Sequence, residues 1–295
     1  DHLSEDRSRE WYVPAFGPAR FRFFVGLLFL PYTGMVLAYT VIGSMMASRI
    51  HWDRVAAIVL IYSLGLGIGA HALDALGSKT TKPWGTVFSM RQLWVLAIAS
   101  LVGAYAIGIF PMAEGREHSE LHWIDPEQRG VLPLEEFHIP RKLRRRIRRA
   151  DFEVTCDSAF TEVIEACAEP ADNRPDTWIN PPIQRLYTDL HEMGFAHSVE
   201  CWHDGALVGG LYGVACGGYF SGESMFHDES DASKVAYVAL LRRLSARGYV
   251  LLDCQVPSYH LFSLGATLIS RVAYFTRLRA ALKLNNTFED LCADE

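Results

Sequence analysis

Three polar side chains stand where the chain is otherwise apolar and rich in strand formers. Glu223 sits among Phe220, Met225 and Phe226, and Asp253 and Gln255 interrupt the apolar run Tyr249–Val256. Strand alternation puts Asp253 and Gln255 on one face and Leu252 and Cys254 on the other. Charged groups are rarely placed in an apolar strand unless something pairs with them. Polar groups at alternate positions therefore suggest a site, to which Glu223 and Asp253 would lend a negative field. The plainer alternative is a hairpin whose glutamate faces water.

A second group is cationic. Seven of the nine residues from Arg141 to Arg149 are basic. Pro140 suits the first turn of a helix, and Leu143 and Ile147, four apart, would anchor one face of it. Arg141, Lys142, Arg144, Arg145 and Arg148 then project from the other faces. No run of acids inside the helix pairs with them, so an anionic partner would relieve their repulsion. Phosphates fit, whether of nucleic acid or of lipid head groups, and nucleic acid is favoured.

The elements that must position these residues can be read around them. Leu207–Ala215 and Tyr219–Phe226 read as paired strands, with Cys216-Gly217-Gly218 supplying the φ > 0 positions of the turn. Ala196–Trp202 opens the sheet, and Asp204-Gly205 makes another tight turn. Phe152–Thr155 is a short strand. Helices are expected over Ser158–Ala168, Ile183–Met193 and Asp231–Arg247, the last capped by Asp231 and the last two stopped by Gly194 and Gly248. His197 reads as a structural histidine.

A chain of 295 residues has room for two modules, and a net charge of −6 excludes a wholly basic nucleic-acid binder without bearing on local patches. The six cysteines all follow residue 150 and include no C-x-x-C pair. They are expected to be reduced, mostly buried thiols; a catalytic cysteine is the sharper alternative, without a Cys/His partnership to support it.

The first hundred residues differ. Phe23–Ala47 is 25 residues without a charge, and Val55–Leu73 gives 19 more, interrupted only by His71. Both meet the requirement of about 20 residues for crossing the hydrocarbon, and basic residues before the first run and after the second place both flanks on the cytoplasmic side. Two transmembrane helices are therefore expected within residues 1–91, with membrane association through residues 21–73. A third uncharged run, Gln92–Ala113, is expected to be buried in protein. Residues 70–84 have a faint resemblance to the first acidic loop of UbiA-type prenyltransferases, but the single Asp74 falls short of what magnesium needs. A truncated membrane segment, or a fusion of two unrelated pieces, is the alternative reading.

Several ordered motifs together resemble one family. Gly209-Gly210-Leu211-Tyr212-Gly213, Phe220-Ser221-Gly222-Glu223-Ser224-Met225-Phe226, Asp231-Ala232-Ser233-Lys234 and Leu252-Asp253-Cys254-Gln255-Val256 look like the leucyl/phenylalanyl-tRNA–protein transferases. Gly108-Ile109-Phe110-Pro111, Trp123-x-x-Pro126-x-x-Arg129-x-x-Leu132-Pro133 and Thr177-Trp178-Ile179-Asn180 extend the resemblance, with Asn180 where the family has Thr and His122 where many members have a second Trp. Met112 stands where some members carry an aromatic that stacks on the terminal adenosine. The family's Gly-Gly-Asp segment before the first helix has no counterpart.

The resemblance implies an α+β chain with a GCN5-like acyltransferase fold behind the membrane hairpin. The transferase domain would span 92–295, with a small subdomain over about 92–155 and the GCN5-like one over about 156–282. It implies transfer of Leu or Phe from aminoacyl-tRNA to the N-terminal amine of proteins beginning with Arg or Lys, marking them for degradation, in the cytoplasm or at the inner membrane. Gln255 would align the attacking amine, oriented by Asp253; Leu211, Phe220, Met225 and Leu252 would form the pocket for the Leu or Phe side chain. Glu223, Trp178 and Trp123 would touch substrates, and the basic helix would hold the tRNA. No metal or cofactor is implied, and the acidic turn Asp228-Glu229-Ser230-Asp231 would repel coenzyme A. An inactive transferase domain that only binds RNA, or a prenyltransferase fragment, are the readings from other classes.

Overall fold

The computed structural model describes residues 13–18, 21, 22, 25, isolated positions between 37 and 72, 89–116, 121–135, 137–170, 176–256 and 259–288. The chain divides into two compact units, Asp1–Trp123 and Ile124–Glu295.

In the first unit the helix Met90–Ala106 is opened by a capping box, in which Ser89 Oγ accepts from the Gln92 backbone while the Gln92 side chain accepts from the Ser89 backbone. Leu93, Ala97, Leu101, Ala104 and Tyr105 make its buried stripe. Gly108, at φ +79°, turns the chain out of the helix and into β1, Phe110–Ala113, which pairs with β2, Leu121–Ile124. The uncharged run Gln92–Ala113 is thus divided between a helix of 17 residues and a strand.

The second unit is built on one seven-stranded sheet in the order β4-β5-β6-β7-β8-β3-β9. The strands are β3 Gln128–Leu132, β4 Glu153–Cys156, β5 Ala196–His203, β6 Ala206–Cys216, β7 Tyr219–His227, β8 Leu251–Gln255 and β9 Thr267–Ser270. Every neighbouring pair is antiparallel except β7 and β8, which are joined through the helix Ala232–Ala246. Asp204 and Gly205, both at positive φ, close the β5–β6 hairpin, as their sequence predicts. At the β6–β7 turn only Gly217 has positive φ (+58°), and a Cβ there would lie 2.7 Å from the Leu284 carbonyl oxygen. Close approach as well as conformation demands glycine.

One core cluster joins Val199, Cys201, Leu211, Phe220, Leu252 and Cys254 of the sheet to Val235, Ala236, Val238, Leu241 and Leu244 of the Ala232–Ala246 helix. The helices Phe160–Ala168 and Pro181–Glu192 also pack on the sheet, where Phe160 and Tyr187 meet Tyr212 edge-on. Asn180 caps the second of these through Ile183 N, so the departure from Thr exchanges one good capping residue for another. Asp231 stands at the N-cap of the Ala232–Ala246 helix in the left-handed region and makes no side-chain cap bond; its carboxylate pairs with Lys234 instead.

The expected fold class is corrected. The architecture is mixed α/β around a large, mostly antiparallel sheet, and among the described residues no helix is long and apolar enough to cross a membrane. The expected α+β arrangement of a GCN5-like domain behind a transmembrane hairpin is therefore not what the structure shows. A hydropathy count measures the length of an uncharged run and is blind to where a helix begins or stops. The runs Phe23–Ala47 and Val55–Leu73, like the Asp74 loop and Cys292, lie largely or wholly outside the described residues.

Candidate active site

The candidate site residues come from the junction of β7 and β8. These strands pair in parallel as Tyr219↔Leu251, Phe220↔Leu252 and Ser221↔Asp253. Two residues further along each strand the side chains take over: Gln255 Nε2 donates to both carboxylate oxygens of Glu223, at 3.0 Å each. A bulge makes this reach geometrically available. Tyr212 pairs with Ser224 and Gly213 with Gly222, so Glu223 is the additional residue on β7 and its side chain is re-aimed. Ser221 Oγ (2.9 Å) and Tyr187 OH (3.1 Å) also donate to Glu223. An ionised carboxylate only accepts, so the Gln255 amide must turn its NH2 toward Glu223 and its Oε1 away.

Asp253 is fully buried. Its Oδ2 accepts from Arg129 Nη2 at 2.7 Å, Tyr274 OH at 2.7 Å and Tyr219 OH at 3.0 Å, and Arg129 Nε lies 3.0 Å from both oxygens. Its Oδ1 accepts the backbone N–H of Gln255 at 2.7 Å. Burial works against the Arg129 charge, but the Asp253 charge and hydrogen bonds outweigh it and raise the Arg129 pKa above its ordinary value. Burial first, then the Asp253 charge, pushes the Tyr274 phenol up; burial also raises Tyr219, followed by its neighbours Tyr274 and Asp253. Both phenols stay protonated and can only serve the carboxylate as donors.

Asp253 and Gln255 do share a face, with Leu252 and Cys254 turned into the core. Two features of their surroundings bear on the expected roles. Asp253 contacts the backbone of Gln255 and is paired with Arg129, while Glu223 is the carboxylate that meets the Gln255 side chain. Leu211, Phe220 and Leu252 are closed off in the core cluster, and of the four expected pocket residues only Met225, packed against that cluster, keeps an exposed part.

A family model described as leucyl/phenylalanyl-tRNA protein transferase matches residues 131–279, and that of the transferase's N-terminal domain matches 95–127. The chain belongs to this family. It is an aminoacyltransferase. The leucyl/phenylalanyl-tRNA–protein transferase of Hyphomonas neptunium is 55% identical over 188 residues, 64% of this chain and 73% of that protein. That of Paramagnetospirillum magneticum is 55% identical over 182 residues, covering 62% and 87%, and that of Caulobacter vibrioides 54% over 196 residues, covering 66% and 90%.

The remaining expected residues of this transferase are spread more widely. In the helix Arg141–Arg149, Leu143 is buried and Ile147 half-buried on the core, and Arg141, Lys142, Arg144, Arg145 and Arg148 are exposed. Arg146 turns back: it pairs with Asp151, lies 3.9 Å from Glu229 and covers the Phe152 ring. Trp178 is half-buried ahead of the helix Pro181–Glu192. Trp123 belongs to the first unit, and its buried indole N–H has no acceptor among the described residues. His197 is structural, bonded to Asp157 at 2.9 Å and stacked on Phe288. Sequence reasoning assigned nothing to Arg129, Tyr187, Tyr219 or Tyr274. The signal was the buried carboxylate itself, which requires a cation and donors that spacing cannot name.

Proposed function

We propose that this aminoacyltransferase joins Leu or Phe, delivered as the ester of a tRNA, to the α-amine of proteins that begin with Arg or Lys, at the site of Gln255 and Glu223. The observation that carries the reading is the clamp, in a member of this family: an amide pinned by its NH2 across Glu223 presents its Oε1 to an incoming amine. The amine nitrogen attacks the ester carbonyl carbon. A C–N bond forms as the C–O bond to the ribose breaks, and the amine's proton ends on the departing ribose oxygen. The ester is already activated, so positioning supplies the gain. A neutral amide is a weak base, and Gln255 Oε1 acts by accepting a hydrogen bond that aims the amine's lone pair.

Glu223 supplies the negative charge that favours a cationic first residue. The socket for Leu or Phe would open at Met225, a flexible side chain packed against the cluster that holds Leu211, Phe220 and Leu252. Such a socket discriminates by about 1–3 kcal/mol per methylene. The exposed basic side chains of Arg141–Arg149 hold tRNA phosphates. The product would be marked for degradation, in the cytoplasm where charged tRNA is found.

The test is transfer of radiolabelled Leu from Leu-tRNA by the full chain to peptides beginning with Arg, Lys or Ala. Labelling of the first two above the third is expected. Absence of labelling with all three, by a folded protein, would sink the reading.

A further inference from the structure

We propose that Arg129 is the positioning residue of the site: through Asp253 it holds the backbone of Gln255 in the one conformation that lays its amide across Glu223. This rests on the reading of Gln255 given above. Gln255 has φ +53°, a left-handed conformation that a non-glycine residue adopts only under support. The support is visible. The N–H of Gln255 is tied to Asp253 Oδ1 at 2.7 Å, and that carboxylate cannot turn, because the Arg129 fork takes both oxygens while Tyr274 and Tyr219 fix Oδ2.

Tyr274 secures both partners, since its hydroxyl reaches Asp253 and its ring lies 4.7 Å from the Arg129 guanidinium. The strands themselves are matched to the clamp. β3 pairs Val131 with Asp253 and Gly130 with Gln255, so Cys254 is the additional residue where β8 bends toward its left-handed end. A buried ion pair yields little net stability compared with apolar residues of the same volume. What Arg129–Asp253 supplies is direction: without it, Gln255 relaxes out of the left-handed region and its amide leaves Glu223. Arg129 and Tyr274 are both 2% exposed, so they act through Asp253 and not on substrate.

The experiment is a kinetic double-mutant cycle on the full chain with Leu-tRNA and an Arg-initiated peptide. Arg129→Lys keeps the charge and loses the fork; Tyr274→Phe removes one donor and keeps the ring. A misplaced aligning group is expected to lower kcat about 10-fold for Arg129→Lys and about 3-fold for Tyr274→Phe, with KM for both substrates within about twofold of the parent. In a Gln255→Ala background both substitutions are expected to have no further effect, whereas a merely structural role would cost the same in either background. Parental kcat in both single variants, or undiminished losses in the Gln255→Ala background, would overturn the inference. If Arg129→Lys does not fold, the Tyr274→Phe cycle decides alone. Parental transfer by Gln255→Ala would instead overturn the reading of Gln255, and this inference with it.

Discussion

Strand β8 presents two faces that treat polar atoms in opposite ways. On one, Leu252 and Cys254 enter the cluster beneath the Ala232–Ala246 helix, where the Tyr237 hydroxyl meets the Cys254 sulfur at 3.2 Å and the surroundings are otherwise apolar. On the other, Asp253 and Gln255 gather Arg129, three tyrosines, Ser221 and Glu223 around them. Both faces are buried at β8, so burial alone does not distinguish core from site. The difference lies in what each would lose. The apolar face loses packing when a side chain is cut back, and its neighbours relax. The polar face loses a compensating charge or a direction, and what remains is a stranded ion or a misaimed amide.

Four substitutions probe that contrast. Asp253→Asn is expected to be the most severe, because it strands the buried Arg129 guanidinium; a loss of about 3–5 kcal/mol in denaturant unfolding should accompany lost transfer. A variant as stable as the parent would break the contrast at its strongest point. Leu252→Ala, one residue away on the opposite face, should cost about 2–5 kcal/mol from a cavity, while the folded fraction keeps its kcat within a few-fold. Gln255→Ala should shift the weight to activity, lowering transfer about 10²-fold, with a stability loss of about 1–3 kcal/mol from the hydrogen bonds it makes to the Glu223 carboxylate.

The last effect is confined to alkali. Burial, reinforced by the Asp253 charge and opposed by the Tyr237 hydrogen bond, pushes the Cys254 thiol up to about 12. A group raised on folding stabilises fully below its unfolded pKa and loses that contribution as pH rises toward its folded one. Stability should therefore fall from about pH 9 upward, and Cys254→Ala should flatten the decline by at most ~1.4 kcal/mol per pH unit. An unchanged slope would place the thiol outside the reach of both faces.

Much of this was legible before any coordinates. Alternation assigned Asp253 and Leu252 to opposite faces, Asp204-Gly205 named its turn, and Leu143 with Ile147 gave the anchored face of the basic helix. These are local properties, set by residues a few positions apart. The uncharged run Gln92–Ala113, expected to lie buried in protein, does so: its helix buries Leu93, Ala97 and Leu101 and ends before Gly108 at positive φ. Other features were not written locally. Of the four expected pocket residues, which are apolar and close together, the sequence could not say that Leu211, Phe220 and Leu252 are buried and Met225 half-buried, because burial depends on the packing of a helix on the sheet.

By itself the sequence determined the family, the strand faces and the glycine stops and turns, because motif order, period and turn chemistry are written along the chain; the expected Asp231 cap it did not determine. It could not assign Arg129 to Asp253, 124 residues away, or Glu223 to Gln255, 32 residues away. Those partnerships depend on which strands lie side by side and in what register, and on two bulges that each shift a side chain by one place. Only the assembled sheet brings a distant arginine to a carboxylate that must not stay unpaired, and that carboxylate to the backbone of Gln255.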